Sequence, residues 1–537
     1  MNDKELPSLG EFDYVIVGGG SAGCVLAGRL SADPQVQVAL VEAGGAGDDW
    51  MVNTPAAVVL MVPRGINNWA FTTVPQPGLN GRCGYQPRGK VLGGSSSINA
   101  MVYIRGHRED YDRWARLGNT GWSYADVLPY FIRSEHNQNI NDAWHGQQGP
   151  LQVGALRSDN PLQEVFLQAA REAGHRINPD FNGAEQEGLG VYQVTQQEGE
   201  RFSAFRAYVK PHLSRPNLSI FTSTQVDKVL LEQRRATGVV VRRGGQRCIL
   251  QARREVLLSA GAFLSPQILL LSGIGEAAHL QAHGIEVKHD LPGVGQHLQD
   301  HPDFILGYQV ATPDVLSLNP AGMWRILRQI AQYRRERRGM ISSNFAECGG
   351  FLKSAPEEKI PDLQLHFVVA LVDDHARKLH FEPGMSCHVC LLRPKSQGSV
   401  RLENAHPWSV PRIDPGFLQA DEDVQALVRG FKITRHLMQQ PALAPYRLRD
   451  KFTAGVESDA EIVACLRERA DTVYHPVGTC RMGTGPEAVV DPALRVYGIE
   501  RLRVVDASIM PDLIGGNTNA PTMMIAEKAV DLIRQAQ

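Results

Sequence analysis

The sequence predicts an α/β chain: a Rossmann-like dinucleotide-binding unit, βαβ plus a β-meander, joined to a second, α+β domain built on an antiparallel sheet. Three observations carry this. "FDYVIV", a short run of aromatic and β-branched residues suited to a buried parallel strand, leads directly into "GGGSAG". "CVLAGRLSADP" then reads as a helix stopping near Asp33-Pro34, and "VQVALVE" as a second strand, which completes a βαβ unit. Further on, "LSIFTSTQVDKVLLEQRRATGVVVRRGGQRCILQARREVLLSAGA" alternates apolar runs with turn-rich breaks, as a meander ending in a buried strand does.

The second domain is expected from "HFVVALV", "MSCHVCLL" and "GSVRL", which read as strands of another sheet. Near the C-terminus "LRVVDAS" is a buried strand and "TMMIAEKAVDLIRQA" a terminal helix. A chain of 537 residues exceeds one ordinary core. The cofactor unit is therefore expected over 1–155, 203–305 and 470–537, and the substrate domain over 156–202 and 306–469.

The 55 basic and 57 acidic side chains nearly balance, which leaves no global field for nucleic acid. The 8 cysteines accompany no secretory signal, so a reducing, cytoplasmic setting is expected. "CHVC" (Cys387 to Cys390) falls within a strand reading, where residues three apart point to opposite faces; ordinary packing is expected rather than zinc or a redox disulfide. "VLLSAGAFLSPQILLLSG" is broken by Gly, Ser and Pro, which argues against a membrane span.

Gly18, Gly20 and Gly23 form G-x-G-x-x-G between a strand and a helix, the context the fingerprint needs. The first glycine permits the turn, the second admits pyrophosphate, the third lets helix and strand approach, and the helix N-terminus favours phosphate charge. Glu42 ends the second strand, where a carboxylate accepts from ribose hydroxyls. This motif does not separate NAD from FAD, since both carry an adenosine pyrophosphate.

"RGKVLGGSSSINAMVYIRG" (Arg88 to Gly106) offers small residues against which a flat ring could lie. This block resembles the first signature of the glucose-methanol-choline (GMC) oxidoreductases, and "GAFLSPQILLLSGIG" their second. "DYVIVGGGSAGCVLAGRL", "LPGVGQHLQDHP", "YHPVGTCRMG" and "RVVDASIMPDLIGGNTNAPTMMIAEKA" follow in the family's order, so the resemblance spans the chain. It is most similar to bacterial acceptor-dependent alcohol dehydrogenases, with choline dehydrogenases more distant.

The resemblance implies FAD in a glutathione-reductase type domain. It places Gly18, Gly20, Gly23 and Glu42 at the ADP half and Val226 near the adenine. Gly94, Ser95, Asn99 and Ala100 would meet the flavin end, Asp506 and Ala507 the ribityl and pyrophosphate region, and Asn519 and Thr522 the ring. Some members bind FAD covalently through a histidine in the glycine-serine block. Here Ser97, Ile98 and Asn99 offer no imidazole, so noncovalent FAD is expected.

Oxidation of an alcohol needs a base for the hydroxyl proton as hydride leaves for the flavin. The resemblance assigns that base to His475, with Asn519 as the second polar group where some members have histidine. An amide orients but does not act as a base, so His475 carries the proton alone. Tyr474 and Asn517 are expected to support the site. The implied reaction takes a primary aliphatic alcohol to its aldehyde and passes electrons to a quinone or another non-oxygen acceptor; choline dehydrogenase, alcohol oxidase and non-redox chemistry are the alternatives.

"MWRILRQIAQYRRERRG" reads as a helix with Trp324, Leu327 and Ile330 along one side and Arg325, Arg328, Arg334, Arg335, Arg337 and Arg338 around it. The favoured reading packs the apolar stripe on the substrate domain. The alternative is peripheral contact with the cytoplasmic membrane.

Overall fold

The computed structural model describes residues 6–536. Its first sheet has seven strands around a parallel core. Strand Ser8–Val17 lies between Val38–Val41 and Gln246–Leu258, with Leu218–Phe221 beyond Val38–Val41, all parallel. Gln246–Leu258 is long enough to serve two partners on one side. Its first half pairs antiparallel with Arg235–Arg243, and its last residues pair parallel with Leu502–Val504. The central strands are buried on both faces, so Val15, Ile16, Val38, Leu40, Val256 and Leu258 are near-continuously apolar.

This geometry corrects one expectation. "LSIF" does not belong to the meander, which consists of Thr224–Glu232, Arg235–Arg243 and Gln246–Leu258. It pairs with Val38–Val41 as a parallel edge strand, because a break at Thr222 and Ser223, with Ser223 at φ 49°, redirects the chain first.

Val17, Val41, Leu258 and Val504 end at the same edge of the sheet. The residues that follow the first three, Gly18, Glu42 and Ser259, and Asp506 two residues after Val504, therefore converge on one rim, the place where open α/β sheets bind ligands.

The second sheet is also seven-stranded, and antiparallel. Its order is Arg447–Asp450, Pro302–Val310, Gly384–Leu391, Leu363–Val368, Ala346–Leu352, Gly188–Val191, with Asp471–Thr472 paired to the start of Pro302–Val310. Helix Asp421–Met438 buries Val424, Leu427, Val428 and Phe431 in the same apolar cluster as strand residues Leu363 and Val389. The strand read in "HFVVALV" begins earlier, at Leu363, and ends at Val368. "GSVRL" forms a strand, Gly398–Arg401, in a separate three-stranded sheet with Gln296–Leu298 and Arg412–Asp414. Its core partners Phe71 and Phe263 draw it away from the large antiparallel sheet. Cys387 and Cys390 lie in one strand and pack into different apolar clusters, as the alternation of side chains requires.

The basic helix forms over Pro320–Glu336, started by the Asn319 side chain accepting from Gly322 N–H. Its apolar stripe does not pack on the substrate domain. The helix is anchored through Gly322 and Tyr333, whose hydroxyl donates to Gly199 O at 3.1 Å, and Trp324, Leu327 and Ile330 face outward. Among the described residues no helix is long and apolar enough to cross a membrane.

Candidate active site

One cavity runs from the rim of the parallel sheet to the antiparallel sheet. Gly18, Gly20, Glu42 and Val226 line one end, Gly94, Ser95, Asn99, Ala100 and Ala507 its middle, and His366, His375, His388, His475, Asn517 and Asn519 the other.

The glycine turn is built as a cradle. Gly18 adopts φ +101°, and a Cβ there would meet Ser259 O at 2.5 Å. A Cβ on Gly23 would stand 1.9 Å from Gly18 O, so Gly23 serves helix–strand packing and does not line the cavity. Gly20 differs: a Cβ would meet nothing nearer than Ser259 O at 3.9 Å, so its bareness leaves space on the cavity side. Gly94, at φ +53°, comes so close that a Cβ would sit 2.6 Å from Gly20 Cα. The two glycine blocks thus meet backbone to backbone.

Glu42 accepts from Gly19 N–H at 2.9 Å through Oε2 and from Gly44 N–H at 2.7 Å through Oε1. Burial pushes its carboxyl up to about 7 against those bonds. Each oxygen keeps a lone pair for hydroxyl donors, which fits a ribose. Asp506 lines the same cavity, yet its carboxylate is spent within the protein: Oδ2 accepts from Gly261 N–H and Ser265 Oγ, and Oδ1 from Ser508 N–H and Oγ. It clamps the start of helix Gly261–Leu271 to the segment carrying Ala507. Asn99 Oδ1 accepts from Arg201 at 2.9 Å and Met101 N–H at 3.0 Å, which fixes the end of the glycine-serine turn. Ser95 Oγ accepts from Gly89 N–H at 3.2 Å, Ala100 O from Asn344 at 2.8 Å, and Thr522 Oγ1 donates to Thr518 O at 2.7 Å.

At the far end His475 is held by a relay that decides its tautomer. His301 Nε2 lies 3.0 Å from Ile514 O, an acceptor only, so Nε2 carries the proton. Neutral His301 then presents a lone pair at Nδ1, which lies 3.0 Å from His475 Nδ1. His475 must donate there from Nδ1–H, leaving its Nε2 lone pair toward the cavity, where Asn517 Nδ2 stands at 3.2 Å. Burial holds His301 neutral, its basicity lowered to about 3. Burial first, then the neighbouring His301, His366 and Arg88, pushes His475 well below the ordinary histidine range.

Asp300 sets the backbone. Its Oδ1 accepts from His475 N–H at 2.7 Å and from His301 N–H at 2.9 Å, and Thr472 Oγ1 donates to its Oδ2 at 2.6 Å. Arg88 donates to Tyr474 O at 2.7 Å. Tyr474 itself has φ +71°, uncommon for a non-glycine residue, and its hydroxyl bonds His375 Nδ1, whose Nε2 pairs with Asp471 at 2.9 Å.

The two residues named as the catalytic pair sit differently from each other. Asn517, expected only to support the site, touches His475 Nε2 directly. Asn519 is the first residue of helix Asn519–Gln535; its Oδ1 accepts from Ser21 Oγ at 2.7 Å, so its side chain bridges to the helix after the glycine turn while lining the same cavity. Sequence reasoning also missed Asp300, His301, His366 and the His388–Asp303 pair, with Nδ1···Oδ2 at 2.6 Å. One signal for His301 was present: "DHP" in "LPGVGQHLQDHP" repeats the His-Pro of "YHP". His366 opens "HFVVALV" and His388 sits inside "CHVC", both read as strand with no part in the site.

Models described as GMC oxidoreductase match residues 12–303 and 394–526. An alcohol dehydrogenase [acceptor] from Pseudomonas putida is 47% identical over 97% of this chain and 95% of its own. Mitochondrial choline dehydrogenase from Homo sapiens is 44% identical over 98% of this chain and 90% of its own. Among solved structures, pyridoxine 4-oxidase from Mesorbium loti superposes with TM-score 0.87 at 31% identity, covering 97% of this chain and 98% of its own. Formate oxidase from Aspergillus oryzae RIB40, in a study of its FAD modification, gives 0.91 at 28% identity, covering 99% of both.

Proposed function

The chain belongs to the GMC oxidoreductase family, and on that premise we propose that it oxidises a primary aliphatic alcohol to the aldehyde and passes the electrons to a quinone or another non-oxygen acceptor. FAD-dependent oxidation at a CH–OH group is the family's activity, and the bound flavin supplies the acceptor for the hydride. The glycine cradle, the space beside Gly20 and the Glu42 carboxylate fit its ADP half.

The remaining chemistry belongs to the chain. A neutral His475, whose Nε2 lone pair accepts from Asn517 Nδ2–H at 3.2 Å before substrate enters, takes the hydroxyl proton once the substrate hydroxyl displaces that donor and the carbon gives up its hydride. His301 holds the tautomer, and Asp300 fixes the two histidine backbones relative to one another. Asn517 and the Asn519 amide, its oxygen already held by Ser21, offer N–H donors to the substrate oxygen. This tautomer relay is the observation that carries the assignment of base.

The preference for an uncharged alcohol is supported by the lining. Among the described residues of the cavity wall the only carboxylates are Glu42 and Asp506, both at the nucleotide rim. At the other end a quaternary ammonium would meet imidazoles, aliphatic groups such as Val368 and Val372, and the rings of Phe345 and Tyr474, but no carboxylate of the wall. Choline remains the second reading, carried by the similarity to choline dehydrogenases. Anaerobic mixing with a panel of alcohols tests both: bleaching of the flavin by primary aliphatic alcohols, little by choline, and slow recovery in air are expected. Bleaching by choline alone, or rapid recovery with peroxide, would overturn the substrate or acceptor assignment respectively.

A further inference from the structure

We propose that helix Pro320–Glu336 and the neighbouring segment around Phe381 form a docking surface for an anionic phospholipid bilayer. The observation is an apolar ridge with no cover. At 100° per residue Met323, Trp324, Leu327, Ile330 and Ala331 share one side of the helix, and Trp324 and Leu327 are 64% and 58% exposed. Phe381, 61% exposed, continues the patch, because its carbonyl accepts from Leu318 N–H at 3.2 Å just before the helix begins. Such a clustered apolar surface is costly in water and marks an interaction site.

Charge identifies the occupant. Residues 323–338 hold six arginines and a single acid, Glu336, in a chain whose formal net charge is −2. Arg335 reaches Glu336, Arg337 reaches Glu200, Arg338 reaches Asp159 and Arg325, on the opposite side, donates to Ser317 Oγ, whereas Arg328 and Arg334 make no ion pair among the described residues. Arg334 lies on the apolar side one turn beyond Ile330, and Arg328 borders it. An apolar ridge edged by unpaired guanidinium groups is the pattern of a helix lying in a lipid headgroup layer, its rings and aliphatic groups below the phosphates and its cations among them.

Position adds the functional point. Val372, His375 and Ala376 line the catalytic cavity, and the same chain segment continues to Leu379, 59% exposed, and Phe381. Docking by this face brings that segment of the cavity wall to the lipid surface, where, on the function proposed above, a lipid-soluble acceptor resides.

The test is flotation of the flavin-loaded enzyme with vesicles of phosphatidylcholine alone and of phosphatidylcholine with phosphatidylglycerol. Binding only to the anionic vesicles is expected, weakening with salt. Trp324→Asp with Leu327→Asp, and separately Arg328→Glu with Arg334→Glu, are each expected to cut the bound fraction at least about tenfold, with dye-linked turnover in solution unchanged. Unchanged binding in either variant, or no binding by the wild type, overturns the proposal. So does a dimer, measured by light scattering, that both variants dissolve, since the occupant would then be a second copy of this chain. Binding is read without turnover, so a failure of the alcohol assignment leaves this result standing.

Discussion

Replacing His301 with leucine tests the relay at its middle. The substitution fills much of the same volume but removes the acceptor for His475 Nδ1–H, now 3.0 Å away. A buried donor left unpaired costs about 1–3 kcal/mol. The imidazole can avoid that cost only by moving its proton to Nε2, which removes the lone pair that takes the substrate proton. At about 1.4 kcal/mol per factor of ten, flavin reduction in stopped flow should slow roughly 5- to 150-fold. His475→Ala should lose more, about 100- to 10,000-fold, the worth of a general base. The combined variant is the decisive measurement: because His301 acts through His475, it should be no slower than His475→Ala. His301→Gln, able to accept through Oε1 and donate through Nε2, should recover part of the rate. Full additivity of the two losses would falsify the relay, for His301 would then act on the substrate independently.

The lowered basicity of His475 fixes a pH profile. The reactive form is neutral, and a folded pKa below the ordinary 6.5 keeps that form populated as pH falls; the reduction rate should stay flat from pH 9 to 6.5 and decline only in more acid solution, while a break near 7 would contradict the burial argument. Gly20→Ala should fold normally and lose flavin affinity, since its Cβ clears the protein by 3.9 Å, whereas Gly23→Ala, with its Cβ 1.9 Å from Gly18 O, should fail to accumulate as folded protein. Thermal melting and flavin content of the two variants separate these outcomes. Acid precipitation should release the flavin into the supernatant, because Ser97, Ile98 and Asn99 provide no imidazole for a covalent bond; a yellow pellet would show one.

What the sequence determined by itself is local. A strand running into G-x-G-x-x-G and a helix states its own geometry, because the limit on Gly23 arises within the unit, from Gly18 O, even though the atom a Cβ on Gly18 would meet, Ser259 O, comes from the end of a strand far along the chain. The terminal helix and the strand at "LRVVDAS" were legible for the same reason: periodicity reports which side a segment buries. Strand existence was also legible in "GSVRL" and "LSIF", but sheet membership was not, since the choice of partner depends on where distant strands lie.

The tertiary structure alone decided the catalytic end. His301 and His475 are 174 residues apart and become a tautomer relay only because Asp300 hydrogen-bonds both backbones while Ile514 brings its carbonyl to His301. It also placed Asn517 on His475 and turned Asn519 toward Ser21, two residues apart in a loop-to-helix junction where spacing says nothing of direction. The arginine-edged helix makes the same point from outside. Its amphipathic pattern was visible in the sequence, but a pattern states that a helix has an apolar side, and only the packed chain shows that Tyr333 took the interior and left Trp324 and Leu327 exposed.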